Sequence, residues 1–265
     1  MKKLVSVLLC IAMLLSLACV VSAETEETTA PEIVWDENNE TILLEYGATY
    51  GEGEKSFQLV VDHLNQVVVC TVNTDEETVG AALAALNIVA GEDSDYGLMV
   101  NTIDGYTADY NVDGTYWAFY INGDYAMTGV DSTPIEDDTV YTFKVDGAEV
   151  EEGATISLVD GKHYGVGEKS FALVVTDAEG NEVSVTVHTD EETIGAALAA
   201  LNIVAGEDSD FGLYIKTVNG ETADYEKDGA YWAFYVNGEY AMTGVDYTAP
   251  EAGTTYGFHV EKAEG

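Results

Sequence analysis

The chain is one unit written twice. Trp117 recurs as Trp232, and the same offset of 115 carries Gly80 to Gly195, Met127 to Met242 and Tyr141 to Tyr256. The segment "TDEETVGAALAALNIVAGEDSDYGL", from Thr74 to Leu98, returns from Thr189 with only Val79 changed to Ile194 and Tyr96 to Phe211. Upstream the offset is 114, with "YGEGEKSF" at Tyr50 matching "YGVGEKSF" at Tyr164. Whatever the first half folds into, the second half must fold into as well. Two copies are too few for a self-stacking solenoid, so two units of ordinary domain size are expected, 41–149 and 150–265.

The 265 residues include three Cys and nine Lys but no Arg, and the formal charge is −40. The opening "MKKLVSVLLCIAMLLSLACVVSA" has two lysines, an apolar run and a small-residue end, which predicts a signal peptide over 1–23 and a secreted protein. An alternative is a lipoprotein signal at "SLAC", with the lipid on Cys19. Acidic residues 24–40 read as a linker. Cleavage would leave Cys70 alone, so no intramolecular disulfide could support the fold. So negative a surface repels phosphate backbones and anionic lipid, which argues against nucleic-acid and membrane-surface partners. After the leader, no apolar run is long enough to span a membrane.

Within each unit the pattern predicts a hairpin, a helix and several strands. Val183, Val185 and Val187 alternate with Ser184, Thr186 and His188. Cys70 stands where Val185 stands, so an inward, unreactive thiol is expected. The helix is expected to be capped at Thr74, with Glu77 reaching back, and to stop at Gly91. Its apolar stripe is Val79, Ala82, Leu83 and Leu86. Three alternating runs follow, so the fold class expected is α+β, each unit a mixed sheet with one main helix.

"YWAFYINGDYAMTGVD", from Tyr116 to Asp131, returns as "YWAFYVNGEYAMTGVD" from Tyr231. Asn122-Gly123 predicts a type I′ hairpin. Pairing outward sets Ile121 against Asp124, Tyr120 against Tyr125 and Trp117 against Thr128. Trp117, Phe119 and Ile121 then share a core face, and Tyr116, Ala118, Tyr120, Tyr125 and Met127 the opposite one. Rigid amphipathic Tyr suits a face that must both pack and hydrogen-bond. The candidate ligand-binding residues are therefore Tyr116, Trp117, Tyr120, Tyr125 and Met127, with Tyr231, Trp232, Tyr235, Tyr240 and Met242. The two Trp are also expected to carry the fold.

The Tyr-Trp segment resembles the C-terminal domain of transcobalamin and intrinsic factor, and bacterial secreted domains of unknown function grouped with it. Tyr116, Trp117, Gly129, Val130, Asp131, Pro134 and Val140–Val145 carry the likeness, after "TVGAALAAL" at Thr78. Tyr231, Trp232, Gly244, Val245 and Asp246 repeat it. The resemblance implies tandem β-grasp-like domains that bind a soluble small molecule of corrinoid type. The helical barrel that completes the site in those carriers is missing from this chain.

Catalytic chemistry finds little support. His63, His163, His188 and His259 form no H-x-x-x-H or Cys/His pattern, so no metal or cofactor is expected beyond a corrinoid as ligand. No nucleophile elbow or phosphate loop occurs, so the chain reads as no enzyme. "DYNVDG" at Asp109 imitates a calcium loop, but its twelfth position is Tyr120 rather than Glu, which favours an Asp-Gly turn. Two readings of function follow: a secreted tandem module capturing a small molecule, or a surface repeat protein that binds protein or glycan.

Overall fold

The computed structural model describes residues 41–94, 97–147, 153–210 and 212–262. The expected signal peptide, its lipoprotein alternative, the linker and the boundary near 149/150 lie outside the described residues. In the first repeat the order is β1 (Thr49–Tyr50), β2 (Lys55–His63), β3 (Gln66–Thr74), α1 (Val79–Ala85), β4 (Val89–Ser94), β5 (Gly97–Ile103), β6 (Tyr106–Thr107), β7 (Tyr116–Ile121), β8 (Asp124–Tyr125) and β9 (Val140–Asp146). The second supplies β10 (His163–Tyr164), β11 (Lys169–Thr176), β12 (Glu182–Thr189), α2 (Ile194–Ala200), β13 (Val204–Ser209), β14 (Gly212–Val218) and β15 (Glu221–Thr222). It ends with α3 (Tyr225–Asp228), β16 (Ala230–Val236), β17 (Glu239–Tyr240) and β18 (Thr255–Lys262).

The α+β expectation of tandem β-grasp-like units, each with one main helix, is overturned. Strand accounts for 48% of the structure and helix for 11%, so the fold is predominantly β. Strands of both repeats join one mixed sheet of 12, in the order β17-β16-β18-β11-β12-β10-β3-β2-β9-β7-β8, with β1 beside β3. The two β4-β5-β6 and β13-β14-β15 meanders form separate small sheets.

The shortened helix explains much of the difference. Thr74 closes β3 and its hydroxyl accepts from the Glu76 amide, while Thr78 caps α1 by accepting from Ala81. At the other end Asn87 takes φ 53°, a left-handed conformation that ends the helix well before Gly91. β-branched Ile88 and Val89 then lead into β4. Gly91 sits at a register shift opposite β5, where a Cβ would collide with the Met99 carbonyl. The apolar stripe still packs as expected, with Val79, Ala82 and Leu83 buried.

Each repeat keeps its own apolar core, one built around Leu59, Leu83, Trp117 and Phe143, the other around Leu173, Leu198, Trp232 and Phe258. Cys70 is buried in the first, opposite Leu59, and burial pushes its thiol up to about 12. Between the cores runs β10, parallel to β12 and antiparallel to β3 through Tyr164 and Gln66. The Gly165 amide donates to Asn65 O at 2.9 Å, and the Asn65 side chain donates to Leu201 O at 3.1 Å. Val67 and Val69 lie on β3 beside this junction, whereas the matching positions on β12 are Glu182 and Ser184.

Asp104 is buried beneath the first repeat's N-terminal residues. Its carboxylate accepts from the Leu44 amide at 2.6 Å, as Asn219 accepts from Leu158 in the second repeat. Burial raises Asp104 to about 6, only partly offset by that hydrogen bond and the Lys162 charge.

Candidate functional site

The Tyr-Trp hairpin lies at both ends of the long sheet. Asn122 and Gly123 take φ 50° and 87°, the two left-handed residues of a type I′ turn, and Asn237-Gly238 repeats it. Tyr120 pairs with Tyr125 and Ile121 with Asp124, as the pattern predicts. Ala126 still donates to Phe119 O, but the expected pairing of Trp117 with Thr128 does not form. Beyond Ala126 the chain turns away into a 3-10 turn at Val130–Ser132.

Asp131 holds that turn. Its side chain accepts from the Leu98 amide at 2.6 Å and lies against Gly80, where any Cβ would collide with it. Asp246, Leu213 and Gly195 repeat the arrangement. The "GVD" segment thus fastens the start of α1, β5 and the outgoing hairpin to one another.

Where hairpin and turn part, a cavity of about 450 Å³ opens between β5 and the free edge of β7. Trp117 and Phe119 contribute from the core face, Met99 from β5, and Tyr125 and Met127 from the return strand; Tyr116 reaches its rim. Trp117 is 8% exposed and fixed by its indole N–H, which donates to Asn101 O at 3.1 Å. Met99 is 58% exposed and Met127 94%, which leaves two flexible thioethers over aromatic walls. None of the lining residues is His, Cys, Lys, Asp or Glu.

Of the candidate residues in the first repeat, Tyr116, Trp117, Tyr125 and Met127 therefore come together. Tyr120 lies outside the cavity and packs edge-on against Tyr125 at 5.4 Å. In the second repeat Tyr240 and Met242 line a shallower opening of about 480 Å³ at the hairpin tip, while Trp232 is buried. Tyr231 and Tyr235 both donate to Glu261, which raises each phenol to about 12. In the first repeat the residue matching Glu261 is the shorter Asp146, and of the two matching phenols only Tyr116 donates to it, at 3.3 Å. Larger Tyr214 and Ile215 take the positions of Met99 and Val100. The contribution of β5 was missed in the sequence, where an apolar residue in the alternating run "GLMVN" reads as core.

The calcium-like loop spends its carboxylates on its own backbone: Asp109 accepts from Asn111 and Asp113 from Thr115. Among the described residues no group of three or more His, Cys, Asp or Glu is placed to hold a metal, and no helix is long and apolar enough to cross a membrane.

The profile of a family described as "Domain of unknown function (DUF4430)" matches residues 76–147 and 191–262. Two solved structures are similar at low TM-score. One, described as a "putative metal binding protein" from Ruminococcus gnavus ATCC 29149, is 29% identical over 37% of this chain and all of its own, with a TM-score of 0.35. The other, haptocorrin in complex with Cbi, is 17% identical over 38% of this chain and 27% of its own, with a TM-score of 0.30. No curated protein matches the chain.

Proposed function

The chain belongs to the DUF4430 family, whose domain it carries in two tandem copies, and we propose that it is a secreted, non-enzymatic binding protein for a small flat-ring molecule of the corrinoid class. The observation that carries this reading is the cavity beside Trp117, with aromatic walls, two exposed thioethers at its mouth and no His, Cys, Lys, Asp or Glu in its lining. Small-molecule pockets span roughly 300–1,000 Å³. At about 450 Å³ the cavity seats one edge of a large ring, with the remainder over Met127 and Tyr125. The leader-like residues 1–23 support secretion, and the likeness at "YW" and "GVD" supports the ligand class.

One observation favours surface recognition of protein instead. Strands β7 and β16 stand next to the ends of the sheet, are overlapped by only two residues each of the end strands β8 and β17, and carry no charged residue. Open edges are usually guarded by charge or Pro, so these could accept an extended peptide.

Titration of the full chain with cobinamide, followed by visible absorbance at low salt, separates the two. The ring reading expects saturable binding, and weaker binding of polyanionic porphyrins because of the negative surface. No spectral change with cobinamide or any neutral or cationic ring would overturn it.

A further inference from the structure

His163 in β10 and His188 in β12 are 25 residues apart in sequence, yet His163 Nδ1 lies 2.8 Å from His188 Nε2. Their ring centroids are 5.1 Å apart with planes at 17°. That is the spacing of two imidazoles meeting edge to edge, each nitrogen aimed in-plane at the other. Tyr46 of the first repeat lies flat over both, with centroids at 3.9 Å and 5.0 Å. The pair is also particular to one copy, since the matching residues in the first repeat are Thr49 and Asn73.

The geometry points to a two-histidine seat for a first-row transition-metal ion such as zinc, nickel or copper, with His163 Nδ1 and His188 Nε2 as ligands and water completing the shell. Imidazole nitrogen suits these ions, whereas calcium and magnesium require oxygen donors. Metal–nitrogen bonds of about 2.0–2.1 Å in tetrahedral geometry set the nitrogens roughly 3.3 Å apart, about 0.5 Å more than here, and each ring must also swing by roughly 35° to turn its lone pair from the other nitrogen to the metal. In the metal-free pair one nitrogen donates its proton to the other. Coordination requires that proton to move to the far nitrogen of the same ring, with no net release. Burial lowers both imidazoles from their usual range and so favours the neutral form that binds metal. A crevice of about 320 Å³ borders His163, with Tyr46, Glu45, Asp160 and Lys162 also in its lining. Because β10 joins the repeats and Tyr46 belongs to the first, an ion here would sit at the junction of the two halves.

A surface of net charge −40 collects cations indiscriminately, so the test is a zinc titration of the full chain in excess calcium. One zinc per chain is expected, with affinity falling about tenfold or more in His163→Thr and in His188→Asn. Those substitutions install the residues of the sister repeat and should preserve the fold. In the unsubstituted protein, zinc should shift the NMR ring signals of His163 and His188 and leave those of His63 and His259 in place. Zinc affinity unchanged by both substitutions, ring signals indifferent to zinc, or no binding in calcium would each overturn the assignment.

Discussion

Trp117→Ala is expected to cost about 3–5 kcal/mol, the usual penalty for emptying a buried aromatic position. The indole is buried against Tyr106, with ring centroids 5.9 Å apart, and its N–H satisfies Asn101 O. Truncation removes the packing and strands that acceptor, and a domain of this size has only about 5–15 kcal/mol to lose. Trp232→Ala should behave alike, since its indole donates to Glu221 O at 3.2 Å in the second core. Chemical denaturation of both variants measures the cost, and a loss under about 1 kcal/mol would show that the two Trp are not the keystones of their cores.

Asp104→Asn should act in the opposite direction. Burial raises the folded-state carboxyl from its usual 3.8 to about 6. Such a group favours the folded state below pH 4, and that contribution is lost as pH rises through 6. Asn keeps the acceptor for the Leu44 amide, as Asn219 does for Leu158, and carries no charge to bury. The variant is therefore expected to gain about 2–3 kcal/mol at pH 7, on the order of two pK units, and almost nothing at pH 4. Denaturation against pH decides it. An equal difference at both pH values would place the effect in packing rather than in the charge.

Much of the local structure was legible because local rules determined it. Asn-Gly set the hairpin and its register, and alternation placed Val185, Val187 and Cys70 inward. The helix end was misjudged because "AALAALNIVAG" keeps an apolar period through Ile88 and Val89, and the left-handed Asn87 gives no hydrophobic signal. The union of the two sheets was hidden for another reason. It depends on differences between copies, Val67 and Val69 against Glu182 and Ser184, and His163 and His188 against Thr49 and Asn73, while near-identity drew attention to what the copies share. The cavity depends on where pairing stops, after Ala126. That point is set by Asp131 gripping Leu98 and Gly80 from distant parts of the chain, contacts that no local pattern reveals.

The central claim is that the opening beside Trp117 is a ligand seat. Its most direct measurement is cobinamide affinity in Tyr125→Ala and Met127→Ala, set beside their melting points. Both side chains are mainly exposed, so each variant should melt almost as the parent does, while binding weakens by about 1–2 kcal/mol. Binding unchanged in both variants, or melting points that fall as far as that of Trp117→Ala, would contradict it.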